Sequence, residues 1–580
     1  MSADLAFKGT RALVIDSDKT LLDCTVRQLV DLGVSEVLTC RDMGKARAVL
    51  EKQSCDFVLC ADEITGSALR GQALLEELRR DSVLPHTTVF VMISSKATYL
   101  SVMEAAEAAL DCLLLRPFRT SELYDRLIAA RHRRAELRAV FEALNREDLK
   151  TAIALCLKHQ SAGGPYAQLC GRMAAELMLK SDQAPEALAL FRGFDASAPA
   201  SWSGLGAARA LMAMGEIGAT RREVTALLER HPNLPDAQEL LGRALLEQGD
   251  LAGALGAFER ALQATPYCML RLQHAGTLAL YQKKADLALQ WLERARSMDK
   301  HSRLFDAMTL MLLAMLHVDR QDAKSVAVVL EALKQYQTRF PNSARIKRLT
   351  DATTALLALA QGRLDEALTL TQSLADQLAT PDSDLEVASI VLSLWVRLPD
   401  RELSAGVQQQ VVRAIAMRFC VSRAATAVLL AIAAPSDAVC NMIRECQADI
   451  SRLAEAALQQ ALLGQPGPAI AQLLSQGNAT GNARLITLAS HLLKRHAAEL
   501  ANGQALTAQA TAMQAQHCRP MAPMAGLRRT GRAAGGMVMR AKPMAPATEL
   551  APLVQSADSD DLVAAAEPNQ DAGVEWVTPG

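Results

Sequence analysis

The chain has 580 residues, 62 basic against 63 acidic, for a formal net charge of −1. It is too long for one typical domain, and its charge balance gives no global pull toward nucleic acid or an anionic membrane. Half of the residues are hydrophobic but only 4% are aromatic, a balance dominated by Ala and Leu that suits helices better than an all-β protein. The twelve cysteines show no CxxC spacing and no adjoining His cluster, so neither a zinc site nor a disulfide framework is readable, and free thiols suit a reducing compartment. Met1–Thr10 holds no apolar core of a secretory signal, and no run of about 18 apolar residues occurs. A cytoplasmic protein is expected.

In chain order, the first 130 residues alternate short apolar runs with helical patterns. Arg11–Ile15 is the first run, followed by a helix over Leu21–Leu32. A weaker strand over Val34–Thr39 leads into a helix over Gly44–Lys52. Phe57–Cys60 precedes a helix over Gln72–Arg80, and Thr88–Ile93 a helix over Tyr99–Leu110. Leu113–Leu115 is the last run and ends at Arg116-Pro117-Phe118. Continuous apolar strands joined by helical crossovers predict a doubly wound, five-stranded parallel sheet. Ligands of such sheets sit at the carboxyl ends of the strands, so the residues just after each run are the candidate site.

From about 131 to 500 the pattern is helical, with no convincing strand. Leu241, Gly242, Leu245, Ala254, Phe258 and Ala261 form the clearest unit, and an offset of 34 from Gly242, Ala254, Phe258 and Ala261 reaches Gly276, Ala288, Leu292 and Ala295. Trp202, Leu205 and Gly206 open a similar unit upstream. Ala187 with Phe191 marks an earlier unit and Gly362 with Ala367 a later one. Small residues let paired helices approach, and a large apolar residue one turn on fills the groove. Between Ser302 and Arg345, and beyond Pro381, the register is lost. Residues 501–580 lose periodicity and read as a low-complexity, disordered tail, with a basic stretch (Arg528, Arg529, Arg532, Arg540, Lys542) and then an acidic one (Asp558, Asp560, Asp561, Glu567, Asp571).

The strand ends, Leu13-Val14-Ile15-Asp16-Ser17-Asp18, Asp56 through Asp62, Met92-Ile93-Ser94-Ser95 and Leu115-Arg116-Pro117-Phe118, resemble those of response-regulator receiver domains. The resemblance implies a domain that takes a phosphoryl group from a histidine kinase onto an Asp after the third strand. Acidic residues after the first strand then hold Mg²⁺, and a Ser or Thr and a Lys read the phosphoryl group. Here the pattern is degenerate. Asp16 matches the first acidic position, Ser17 stands at the second, Ala61 at the acceptor and Arg116 at the Lys, while Ser94 agrees. Asp62 is one residue late, which turns its side chain to another direction unless a bulge restores it. Asp16 is the one candidate metal ligand, and Asp16 and Asp18 read equally well as a polar cap on the first helix. Arg116 is placed to pair with Asp16 in place of an ion.

The 34-residue units resemble tetratricopeptide repeats, which implies a superhelical array holding a peptide or helix of a protein partner. Arg209, Arg243, Arg271 and Lys283 are groove candidates or simply solvated. The cluster Arg126, Arg131, His132, Arg133, Arg134 and Arg138 lies on a helix leaving the first domain and reads as a linker helix. No nucleotide, metalloprotease or nucleophile-elbow motif is present. The expectation is a non-enzymatic bacterial two-component adaptor without a cofactor. Its pseudo-receiver (1–130) meets a histidine kinase or phosphotransfer protein, and its repeats (131–500) hold a second protein. Neither a nucleic acid nor a membrane partner is expected. The alternatives are a response regulator phosphorylated at Asp62 and a general assembly scaffold.

Overall fold

The structure, a computed structural model, describes residues 7–64, 71–95, 111–197, 200–298, 304–380, 383–399, 402–500 and 502–518. The expected helix over Tyr99–Leu110 and the chain from 519 lie outside the described residues. Residues up to Arg363 form one compact unit and those from Leu364 another.

The first unit opens with strands β1 (Arg11–Ile15), β2 (Glu36–Cys40), β3 (Phe57–Ala61), β4 (Val89–Ser94) and β5 (Cys112–Leu115). They form one parallel sheet in the order β2-β1-β3-β4-β5. Every side chain of β3 and β4 is buried, as apolar runs covered on both faces require. The edge strand β2 buries only Cys40 fully, so its sequence signal is weak and its position is shifted from the expected Val34–Thr39. Asp18 caps the Lys19–Asp31 helix by accepting from the Thr20 and Leu21 amides, and Asp42 caps Met43–Lys52. The Thr120–Glu136 helix packs Leu123, Leu127 and Ala130 into the same core as Phe7, Val14, Leu59 and Val91.

Among the described residues no strand follows β5. Helices pair through tight turns whose central residue has a left-handed backbone, at Glu147, Asp182, Gly215, Gly249, Lys283 and Gln321, and a seventh turn of the same form, at Gly362, ends the first unit. At each, the following amide bonds to the carbonyl five residues back, as in Asp250 to Leu245 and Lys284 to Ala279. These turns recur 33–35 residues apart up to Lys283 and then 38 and 41 apart. Pairing therefore begins with Arg138–Asn145 and Leu149–Ala162 and passes through the Ser302–Arg345 stretch, where apolar spacing shows no register. The Ala323–Arg339 and Ala344–Ala360 helices lengthen to 17 residues, and this offsets the repeat.

Helix contact is closest at the glycines. A Cβ on Gly242 would stand 2.8 Å from Phe258, one on Gly276 2.5 Å from Leu292, and one on Gly206 2.3 Å from Phe191. Substitution there pushes the paired helices apart.

In the second unit, Leu385–Trp395 is buried at every position but Glu386. Arg418 donates to the carbonyls of Leu378, Thr380 and Ser383, and Asn482 caps Ala483–His496 while donating to Met417 O at 2.6 Å. The stretch from 501, read from its composition as a tail, begins with a helix, Gly503–His517, that buries Ala510 and Met513 against its neighbours. Its Ala and Gln content is helix-forming once a packed face is supplied. Nine of the twelve cysteines are buried and all are free thiols. No described helix is long and apolar enough to cross a membrane.

Candidate functional site

The register pairs Ile15 with Cys40 and Cys60, Ala61 with Ile93, and Ser94 with Leu115. Asp16, Ala61, Asp62, Ser94 and Arg116 therefore gather at the carboxyl edge of the sheet. Asp16 is almost fully buried. Its Oδ2 accepts from Arg116 Nη2 at 2.6 Å and its Oδ1 from the Asp18 amide at 2.9 Å. The Arg116 amide donates to Ser94 O at 2.8 Å, which ties the end of β5 to the end of β4. Ser94 and Asp62 are both buried.

A further residue completes this edge. Arg41, directly after β2, donates from Nε and Nη2 to Ser17 O at 3.1 and 2.8 Å. Two guanidinium groups thus hold the loop after β1. Nothing in the linear sequence distinguished Arg41, because its role depends on β2 lying beside β1.

Ala61 ends β3 with a buried methyl group. Asp62 lies past the strand. Its amide donates to Ile93 O at 2.8 Å and its carbonyl accepts from the Gly71 amide at 3.0 Å. A side chain at Gly71 would stand 2.9 Å from Ala61 O, so the helix it begins packs directly on this edge. Beneath, the Cys60 thiol bonds to Ala61 O, and its pKa is raised first by burial and then by Asp62 and Asp16. Mg²⁺ takes a near-octahedral set of hard oxygens. Asp16 gives one oxygen to a guanidinium and the other to its own loop, and among the described residues no group of three His, Cys, Asp or Glu side chains is placed for an ion. As placed, these residues do not fit Mg²⁺.

Along the repeats, Ala254, Phe258, Ala261, Ala288, Leu292 and Ala295 are fully buried, and Leu205, Gly206, Gly242 and Gly276 are buried with them. Leu241 and Leu245 are half-buried, because Leu240 and Leu246 take the inward positions. Trp202 is half-buried too, with its ring centroid 5.2 Å from Phe194 and 6.3 Å from Phe191.

The four groove candidates have other roles. Arg271 is wholly buried and donates to Asp236 at 2.5 Å, Thr265 at 2.5 Å and Glu239 at 3.0 Å. Arg209 pairs with the other Asp236 oxygen and Arg243 with Glu239. The Arg209 and Arg271 pairs stitch successive repeats together, whereas Arg243–Glu239 lies within one helix. Lys283 is not on a helix face but is the left-handed residue of a turn. The linker cluster also divides: Arg133 and Arg134 grip Asp111, and Arg138 pairs with Glu142.

A tetratricopeptide-repeat family model matches residues 205–267. Over 120 residues, 21% of this chain, the sequence is 29% identical to chemotaxis protein CheY-3 of two Vibrio cholerae serotype O1 strains, and the match covers 90% of that protein. The sheet order, the strand-end residues and the repeating turns agree with both likenesses. The chain joins a CheY-like receiver domain to an array of tetratricopeptide-type helical repeats.

Proposed function

We propose that the protein is a non-enzymatic adaptor of a two-component pathway. Its receiver-like domain binds a kinase or phosphotransfer protein without accepting phosphate, and its repeats hold a second protein. Occupying the first partner in this way lowers signalling through it. The reading rests on the 2.6 Å Asp16–Arg116 ion pair at the carboxyl edge, with Ala61 where the resemblance puts the acceptor. Phosphoryl transfer to a carboxylate needs the charge of the phosphoryl group neutralised by a divalent ion and a mobile cation. Here the acidic residue and the cation neutralise each other. Asp62 is buried beside the strand end, where a phosphodonor has little access. The CheY-3 relatives are named as chemotaxis proteins, which supports a signalling role, and the tetratricopeptide match supports protein partners.

The test is incubation of the full chain with acetyl phosphate and Mg²⁺, followed by borohydride trapping and mass spectrometry. No labelled carboxylate is expected. A homoserine derived from Asp62 would overturn the reading in favour of a phosphorylatable response regulator.

A further inference from the structure

Past Ala130, the Thr120–Glu136 helix runs beyond the receiver core and meets the loop between the Gly71–Arg80 helix and β4. Asp111, at the start of β5, is almost fully buried. It accepts from Arg133 at 2.7 Å, from Arg134 on both oxygens at 2.7 Å, and from the Phe90 amide of β4 at 2.9 Å. The same Arg134 donates to His86 O and lies 4.1 Å over the ring of Phe141, which belongs to the first repeat helix. On the other side, Asn145 at the end of that helix accepts from the His86 amide at 2.8 Å. His132 contacts Tyr166 at 3.3 Å, ahead of the second pair. Leu137, only seven positions past Ala130, is already in the core of the repeats. All of these contacts lie at the amino edge of the sheet, opposite Asp16 and Arg116.

The charge pattern makes the joint cooperative. Asp111 is the carboxylate on which both arginines converge. Arg79, buried beside them, spends its guanidinium on the carbonyls of Leu84, Pro85 and Thr88. Burial alone raises the Asp111 carboxyl, but Arg134 and Arg133 outweigh it and hold the group below its ordinary value. Removing this one acid leaves Arg133 and Arg134, whose helix bridges the joint, without their shared carboxylate.

We infer that Asp111, Arg133 and Arg134 are a clasp that fixes the first two helix pairs to the amino edge of the receiver sheet, so that receiver and repeats open and move as one body. Because Asp111 also holds the first amide of β4, a displacement of β4 or β5 at the carboxyl edge is delivered to the repeats through the clasp. This inference does not depend on whether the receiver accepts phosphate.

The test is hydrogen exchange on the full chain carrying Asp111→Asn. Exchange should become at least about tenfold faster both in residues 84–90 and in residues 138–180, with residues 235–298 unchanged. Faster exchange confined to 84–90, a uniform rise through 235–298, or no change would overturn the clasp. If Asp111→Asn does not fold, Asn145→Ala removes only the acceptor of the His86 amide. It should give a smaller rise in the same two segments, and a rise in 138–180 alone overturns the clasp there too.

Discussion

Arg116 sets a guanidinium 2.6 Å from the buried Asp16 carboxylate at the carboxyl edge of the sheet. Its guanidinium is planar and presents a fixed fork of donors to the Asp16 carboxylate. Replacing Arg116 with Ala leaves a buried carboxylate without its cation and should cost about 3–5 kcal/mol. Replacing Asp16 with Ala in the same chain should recover most of that. Native-state exchange of the β1 and β5 amides measures both, and equal loss in the single and double variants would show the pair to be unimportant. These residues were legible in sequence because apolar runs announce where strands end. Arg41 was not, since parallel strands separated by a helix become neighbours only in the fold. The burial of Arg271 was hidden for the same reason, its acids lying 32 and 35 residues earlier.

At the scale of elements, the strands and most helices followed from periodicity, but the count of helix pairs did not. The repeat register is carried by the left-handed turns, and glycine marks only Gly215, Gly249 and Gly362 among those seven. At Glu147, Asp182, Lys283 and Gln321 an ordinary side chain takes the strained backbone, so no glycine flags the turn. Such a residue carries a cost that glycine avoids, offset in part by glycine's larger unfolded-state entropy. Lys283→Gly, with φ at +56°, should therefore stabilise the array by about 0.5–1 kcal/mol. The readout is slower exchange in the Met269–Tyr281 and Ala285–Met298 helices. Faster exchange there would mean that the Lys283 side chain contributes contacts worth more than the strain.

At the scale of the molecule, composition announced two kinds of domain joined by a helix, but not what holds that joint. A boundary at 130 falls inside the Thr120–Glu136 helix, three residues before Arg133. The basic run read only as a linker helix, because its acid, Asp111, is more than twenty residues away. The joint also carries a pH dependence. His86 faces Arg79, Arg134, Lys180 and Asp111, and burial followed by the three cations depresses its pKa well below the ordinary value. The unfolded chain therefore binds a proton near pH 6.5 that the folded chain refuses, so stability is full above that pH and falls as pH drops below it. The slope from this one group approaches about 1.4 kcal/mol per pH unit. His86→Gln should flatten exchange protection of residues 84–90 and 138–145 between pH 6.5 and 5. An unaltered slope would assign the effect to other groups.

The distribution of thiols bears on how such a chain survives handling. Burial raises Cys55, Cys112 and Cys420 to about 11, so in the folded protein they are protonated and inert. Unfolding exposes nine concealed thiols. In air, those exposed thiols are open to random cross-linking before a long, many-helix molecule regains its register. Its durability outside a reducing medium is accordingly a lifetime, governed by how seldom it opens rather than by how far the balance favours the folded form.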